Sequence, residues 1–108
     1  MPITIADLIT KMPGAFLPEK AQGVNAVVQF NFSGAEPGHW NAEIKNGALK
    51  VTQGTHPSPS LTISADSADY LRIFNKELEP MQAFMQGKLK MQGDLSLAMK
   101  LTQFFKPL

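Results

Sequence analysis

Residues 82–101 read QAFMQGKLKMQGDLSLAMKL, and the spacing of their apolar side chains changes twice. Up to Gly87 the spacing is helical, and a glycine at this point can end a short helix. Leu89 and Met91 then alternate with polar residues, which is typical of a strand with one apolar face. Beyond Gly93 the helical spacing returns. The segment therefore predicts a helix, a strand and a helix in succession.

The two helices of this segment differ in length and in apolar content. The first can begin at Pro80, because a first helical turn tolerates proline. Its apolar stripe consists of Met81, Phe84 and Met85. The second is predicted to run from about Asp94, which can cap it, to Phe105. Its apolar side is formed by Leu97, Ala98, Leu101, Phe104 and Phe105.

Upstream, apolar residues follow a period of two, which predicts four strands between residues 24 and 65. Asn46-Gly47 suits the two positive φ angles of a type I′ hairpin between the second and third strands. We expect the four strands to pair in order as an antiparallel meander. Their inward residues are Val24, Ala26, Val28, Phe30 and Phe32, then Trp40, Ala42 and Ile44, then Leu49 and Val51, then Leu61, Ile63 and Ala65.

Two further helices flank these strands. In the first, Thr4 and Asp7 resemble a capping box, and Pro13-Gly14 should end the helix. Its apolar residues are Ile3, Ala6, Leu8, Ile9 and Met12. The second can start at Asp66 and carries Tyr70, Leu71, Ile73 and Phe74. An additional helical turn is predicted within residues 18–23. The whole pattern predicts one α+β domain over residues 1–108, with a five-stranded, antiparallel-rich sheet covered on one face by helices.

Residues that could carry catalysis are few. Cysteine is absent, which excludes disulfides and thiolate metal sites. His39 and His56 are the two histidines, and both lie in predicted turns whose polarity accounts for them. Asp7, Asp66 and Asp94 fall at helix starts, where a carboxylate caps backbone N–H groups. No glycine-rich nucleotide-binding motif occurs. We therefore expect no catalytic residue, no metal and no cofactor.

The overall charge of +1 gives no reason to expect a nucleic-acid partner. Residues 88–108, however, contain four lysines against one aspartate, a net charge of +3. This segment is either a solvated face or a docking edge for anionic membranes. The chain has no secretory layout at its N-terminus, no apolar run of about 20 residues and no peroxisomal tail signal. We expect a cytoplasmic location, which the absence of cysteine also fits.

Residues 81–105 contain four of the six methionines among many leucines and phenylalanines. Methionine is unbranched and polarisable, and it recurs at surfaces that accept several apolar shapes. Methionines and aromatic residues at helical spacing more often belong to an ordinary core. The spacing alone therefore favours a filled core over a ligand pocket.

The block from Phe84 to Leu101 resembles the signature of the sterol carrier protein type 2 family. After the phenylalanine come G-K-L-K at 87–90, G-D at 93–94 and a helix containing L-A-M-K-L at 97–101. Upstream, GVNAVVQF at 23–30 is similar to the first strand of the family. Trp40 and Asn46-Gly47 fall where its second strand and hairpin fall. The resemblance covers nearly the whole chain in order.

This resemblance implies a non-catalytic lipid carrier with an apolar tunnel between sheet and helices. Members of the family bind fatty acids, acyl-CoA esters, phospholipids and sterols and promote their transfer between membranes. The tail lacks the peroxisomal signal of eukaryotic members, which favours a stand-alone prokaryotic form with a ligand other than sterol. The alternative is an accessory module that presents an acyl or isoprenoid intermediate to a lipid-metabolising partner enzyme.

On that fold, the inward periodicity gives the expected tunnel-lining residues. They are Phe30, Phe32, Trp40, Ile44, Leu71, Phe74, Met81, Phe84, Met85, Leu89, Met91, Leu97, Leu101 and Phe105. Lys88 and Lys90 point away from the tunnel on the fifth strand. They either protect a strand edge or contact a lipid headgroup.

Overall fold

A computed structural model describes residues 4–106 of the chain. The strands are β1 (Ala26–Ser33), β2 (Gly38–Lys45), β3 (Ala48–Gln53), β4 (Leu61–Asp66) and β5 (Leu89–Gly93). The helices are α1 (Ile5–Ala15), α2 (Ser67–Phe74), α3 (Pro80–Met85) and α4 (Leu95–Leu101). Short 3₁₀ turns occupy Pro18–Lys20 and Thr102–Phe104. Ile3, predicted in the first helix, lies outside the described residues.

The predicted helix caps are confirmed. The Thr4 side chain accepts a hydrogen bond from the Asp7 N–H at 3.1 Å, and the Asp7 carboxylate accepts one from the Thr4 N–H at 3.2 Å. These bonds also lower the pKa of Asp7 below its ordinary value. Asp66 accepts from the Ala68 N–H, and Asp94 accepts from the Leu97 N–H. Each aspartate therefore satisfies backbone donors that a helix start leaves free.

The α+β class with a five-stranded sheet is confirmed, but the predicted meander is wrong. The strand order is β3-β2-β1-β4-β5, so β1 and not β3 is the neighbour of β4. β1 and β4 run parallel, with Val28 opposite Leu61, and the remaining pairs are antiparallel. The segment 54–60 is therefore a crossover from one side of β1 to the other. The Asn46-Gly47 hairpin between β2 and β3 does form, with both φ angles positive.

The sheet has one buried face, against which the helices pack. Val28, Phe30 and Phe32 of β1 are buried there, with Leu61 and Ile63 of β4 beside them. The opposite face is polar, but its central residue is not exposed: Gln29 is 2% exposed because the crossover segment covers it. Its side chain donates to the Gly54 carbonyl at 3.2 Å and accepts from the His56 N–H at 2.8 Å.

Several predicted boundaries need correction. α1 continues through Pro13 to Ala15, because a proline near a helix end removes only one late hydrogen bond and Ala15 gains burial. β1 begins at Ala26 rather than at residue 24. His39 lies in β2 and not in a turn. The last helix ends at Leu101, and Phe105 has extended backbone angles of φ −132° and ψ 143°.

None of the helices formed by the described residues has the length and apolar character needed to cross a bilayer.

Candidate functional site

A small void lies between α2 and the end of α4, in the layer between the sheet and the helices. Its volume is about 10 Å³, which is room for at most about one water molecule. The described residues that line it are Tyr70, Ile73, Phe74, Leu101 and Phe105. All five are buried. The void is therefore small and lined by largely apolar side chains, and Tyr70 carries the one hydroxyl among these five residues.

One side of the void is an aromatic cluster built on β1. The Phe30 and Phe32 rings stack with centroids 5.9 Å apart, since the two residues point to the same face of the strand. The Tyr70 ring packs against both at 5.3 Å. Such tilted and edge-on contacts are favoured by the charge distribution of aromatic rings. They fix α2 against the centre of the sheet.

A second aromatic cluster closes the other side. The Phe105 ring lies 5.5 Å from that of Phe74 and 5.6 Å from that of Phe16. Tyr70 and Phe74 are one helical turn apart on α2, so the same helix contributes to both clusters. The void lies where the two clusters meet.

The segment after α4 is held across the domain by backbone hydrogen bonds to the end of α1. The Leu17 N–H donates to the Phe104 carbonyl at 2.6 Å, and the Lys106 N–H donates to the Ala15 carbonyl at 2.9 Å. Phe16 and Phe105 form an antiparallel β-bridge between these two bonds. We call residues 102–106 the C-terminal strap, because they cover the second aromatic cluster.

Burial strongly affects the one titratable group at the void. Removal from water raises the pKa of the Tyr70 phenol well above its ordinary value, because the charged phenolate is poorly solvated there. Tyr70 is therefore neutral at physiological pH and carries a hydroxyl, not a phenolate.

A groove of about 380 Å³ opens on the surface between α2 and α3. It is lined by Ile73, Lys76, Leu78, Glu79 and Pro80. Ile73 borders both this groove and the void. Leu78 is 7% exposed and packs in the core beside it. Lys76 holds a positive φ of 63°, which turns the chain sharply after α2.

The structure places the predicted tunnel residues in three environments. Buried in the core are Phe30, Phe32, Ile44, Phe74, Leu89, Leu97, Leu101 and Phe105. Partly buried and packed on that core are Trp40, Leu71 and Met91. Exposed at the surface are Met81, Phe84 and Met85. Phe74, Leu101 and Phe105 meet at the void, whereas the α3 residues do not line it. Lipid contact by any of these residues stays a prediction.

Two void residues, Tyr70 and Ile73, were not among the predicted site residues. Their signal was present in the sequence, because Tyr70, Ile73 and Phe74 follow the i, i+3, i+4 spacing of one helix face. Leu71, which was chosen instead, lies off that face and is only partly buried.

The remaining polar groups offer little for catalysis or metal binding. His39 Nδ1 lies 2.7 Å from Asn31 Oδ1 on the polar sheet face. His56 Nδ1 accepts a hydrogen bond from the Ser58 N–H and so orders its own loop. Within residues 4–106, no three histidine, aspartate or glutamate side chains are grouped so that they could hold a metal ion.

Comparison with known proteins identifies the family of this architecture. Residues 8–106 match the SCP-2 sterol transfer family. Hydroxysteroid dehydrogenase-like protein 2 of Danio rerio is 34% identical over 90% of this chain, which spans 24% of that protein. The chain thus corresponds to about a quarter of that relative's length.

Two solved structures extend the comparison. The palmitated sterol carrier protein 2 like 2 of Aedes aegypti is 31% identical, with a TM-score of 0.74 over 94% of this chain and 93% of that one. The sec-alkylsulfatase Pisa1 of a Pseudomonas species has a TM-score of 0.88 at 18% identity, over 98% of this chain and 17% of its own. The second likeness shows the fold alone. With a family match over residues 8–106, the chain belongs to the SCP-2 sterol transfer family.

Proposed function

We propose that this domain binds an apolar lipid between the sheet and helices α2 and α4 and carries it between membranes without catalysis. The observation that carries the proposal is the void between the two aromatic clusters, together with the surface groove that shares Ile73 with it. The Aedes aegypti relative, palmitated in its structure and similar over 94% of this chain, supports a fatty acyl chain as ligand. Fatty acids, acyl-CoA esters, phospholipids and sterol-like molecules are the candidate class.

Binding at this void requires it to widen, because a void of about 10 Å³ cannot hold an acyl chain. The groove is the proposed route, since Ile73 lines both the groove and the void. All residues of α3 are described, and Ala83 alone among them is buried. A region with so few buried side chains moves more easily than the sheet. We therefore place the tail of the ligand at Tyr70 and Phe74 and its polar head at the groove, near Lys76.

Selectivity among apolar chains would be loose. Burial of apolar surface is worth about 25 cal/mol per Å² whatever the chemical identity of the chain. The void wall offers a single hydroxyl, that of Tyr70, to discriminate between ligands. The length and shape of the apolar part should decide affinity.

A fluorescent fatty acid such as cis-parinaric acid tests the proposal directly. Titration of the delipidated domain should show saturable binding of one ligand per chain. Ile73→Phe adds bulk at the wall between groove and void and should weaken binding by about tenfold, because overpacking opposes an inserted chain. Ile9→Phe is the matched control, since Ile9 is partly buried on α1 and lines neither groove nor void. Absence of saturable binding by the unmodified domain would contradict the proposal.

A second function, an accessory module of a lipid-metabolising enzyme, is supported by the lengths of the relatives. The domain corresponds to 24% of the Danio rerio protein and to 17% of the Pseudomonas sulfatase chain. Such a module would present a bound acyl or isoprenoid intermediate to its partner. Native mass spectrometry of freshly purified protein separates the two functions. A mixed lipid load indicates a general carrier, and one uniform ligand indicates a module.

The lysines near the C-terminus support transient contact with anionic membranes as part of the transfer. Lys88, Lys90 and Lys100 are exposed, and each contributes on the order of 1 kcal/mol at such a surface. Charge reversal at all three should slow transfer to anionic vesicles more than transfer to neutral ones. Equal slowing on both would contradict this electrostatic contribution.

We also propose a cytoplasmic location, which the lack of cysteine suits and cell fractionation can check.

A further inference from the structure

Exposed hydrophobic surface is concentrated in one part of the chain. Five large hydrophobic side chains of the described residues are at least 40% exposed, and all five fall within residues 81–99. They are Met81, Phe84 and Met85 on α3 and Leu95 and Met99 on α4. Scattered single exposures are normal, but this concentration on α3 and α4, which both contact β5, marks an interaction surface.

Helix α3 carries the strongest part of this surface. Met81 and Met85 are separated by one helical turn, and Phe84 lies between them on the same side of the helix. Met85 is 79% exposed, the largest exposed fraction among the five. The opposite side of α3 is anchored by Ala83, which is fully buried. The helix thus holds its three largest apolar side chains away from the core.

We propose that α3 docks on an anionic phospholipid bilayer by inserting Met81, Phe84 and Met85 at the headgroup–acyl boundary. This inference rests on the proposed lipid-carrying function and identifies the surface that meets the membrane. Short amphipathic elements with large apolar side chains and nearby lysines are suited to such shallow insertion.

Charge favours a bilayer as the occupant of this surface. Between residues 76 and 101 there are four lysines, Lys76, Lys88, Lys90 and Lys100, and three acidic residues, Glu77, Glu79 and Asp94. Asp94 caps α4. Asp66 and Asp69 line the same open groove as Lys88 and Lys90 on the polar side of the sheet, so the attraction to anionic lipid is modest there. The apolar side chains therefore supply most of the affinity, and the lysines select anionic lipid.

The position of α3 relative to the groove is a second reason to propose a bilayer as the partner of this surface. Pro80 is the first residue of α3 and also lines the groove that leads to Ile73. A bilayer in contact with α3 would therefore face the mouth through which the proposed ligand enters. The lipid could pass from the bilayer to the void without crossing bulk water.

The absence of cysteine makes this proposal directly testable by single-site labelling. Met81→Cys, Phe84→Cys and Met85→Cys, each labelled with an NBD fluorophore, should show a blue shift and severalfold brighter emission with phosphatidylcholine–phosphatidylglycerol vesicles. Pure phosphatidylcholine vesicles should give a smaller response. Thr52→Cys is the control, because Thr52 is exposed on β3 at the far edge of the sheet.

An α3 response no larger than that of labelled Thr52→Cys would overturn the proposal. A blue shift that depends on protein concentration without vesicles would assign the surface to a second copy of the chain, which also overturns it.

A substitution that alters only this surface separates docking from ligand binding. The triple variant Met81→Gln, Phe84→Gln, Met85→Gln should fold, since all three side chains are exposed. Its partition to anionic vesicles in sedimentation should fall by about tenfold or more. Its affinity for cis-parinaric acid without vesicles should be unchanged. Unaltered vesicle partition refutes docking by α3, whereas a complete lack of fatty-acid binding in every variant refutes the proposed carrier function instead.

Discussion

Phe16 and Phe105 meet in an isolated antiparallel β-bridge, with their ring centroids 5.6 Å apart. One residue follows α1 and the other belongs to the C-terminal strap, so their contact joins the two ends of the described chain. Phe105 also touches Phe74 and lines the void. The C-terminal strap therefore joins the end of the described chain to the segment after α1 and also forms part of the candidate lipid site.

The first prediction concerns how much the contact between Phe16 and Phe105 contributes to the stability of the domain. Phe105→Ala should destabilise the domain by about 3–5 kcal/mol, because a buried ring is lost and a cavity remains. Phe16→Ala should cost less, since Phe16 is only partly buried. Urea melts of both single variants and the double variant give the coupling between the rings, which should be about 0.5–1.5 kcal/mol. Additive losses would mean that the two rings do not stabilise each other.

The second prediction contrasts two glycines. Gly93 has a φ of +111°, and a Cβ there would lie 2.5 Å from the Ser60 carbonyl oxygen. Gly93→Ala should therefore destabilise the domain by about 1–3 kcal/mol through backbone strain and through disturbance of the β4–β5 pairing. Denaturant melts provide the measurement.

Gly14→Ala is the matched control for this substitution. Gly14 lies in α1, and no atom lies within 4 Å of a Cβ built there. The same chemical change should therefore stabilise the domain by about 0.5–1 kcal/mol through helix propensity. A neutral effect of Gly93→Ala would show that β5 can shift to accommodate the methyl group.

Local features of the fold were predictable because local residues determine them. The caps at Thr4, Asp66 and Asp94 and the hairpin at Asn46-Gly47 depend on side chains only a few positions apart. Each of these predictions is confirmed. The inward alternation of the strands was also correct, since it reflects which face of each strand is buried.

Long-range pairing was not predictable from the same patterns. The alternation of apolar and polar residues in β4 fits a position beside β3 as well as a position beside β1. Leu61 lies opposite Val28 because the crossover segment brings β4 next to β1. Burial of Gln29 depends on the same crossover, which supplies partners at Gly54 and His56. The spacing of Phe105 from Leu97 and Leu101 predicts that it belongs to the last helix. In the structure Phe105 instead has extended backbone angles and pairs with Phe16 in a β-bridge.

The third prediction uses the single tyrosine of the chain. Burial raises the pKa of Tyr70 above that of an exposed phenol. In the unfolded chain the phenol ionises near its ordinary pKa of 10.0, so its contribution to stability is complete below this pH and is lost as the pH rises above it. Absorbance of the phenolate, which only Tyr70 can produce, should appear together with alkaline unfolding. Phenolate absorbance in a protein that remains folded would mean that the hydroxyl reaches water.

Tyr70→Phe is the control for this titration. The variant keeps the ring contacts with Phe30 and Phe32 but has no group to ionise. Its stability should fall less steeply above pH 10.0 than that of the unmodified domain. The lysines titrate in the same range in both proteins, so the difference between the two pH profiles isolates the phenol.

The fourth prediction compares two methionines in opposite environments. Met85 is 79% exposed on α3, whereas Met12 is 1% exposed in α1. Met12→Ala should cost about 2–5 kcal/mol, because transfer energy is lost and a void is created in packed surroundings. Met85→Ala should cost less than about 0.5 kcal/mol, since its side chain has little packing to lose. Denaturant melts of the delipidated variants measure both losses.

Fatty-acid titration of the same two variants then tests whether Met85 also belongs to the lipid site. Met85 lines neither the groove nor the void, so Met85→Ala should leave fatty-acid affinity unchanged. Met12→Ala should leave affinity unchanged once the fraction of folded protein is taken into account. A reduced affinity of Met85→Ala would instead place Met85 at the ligand-binding surface and contradict a role confined to membrane contact.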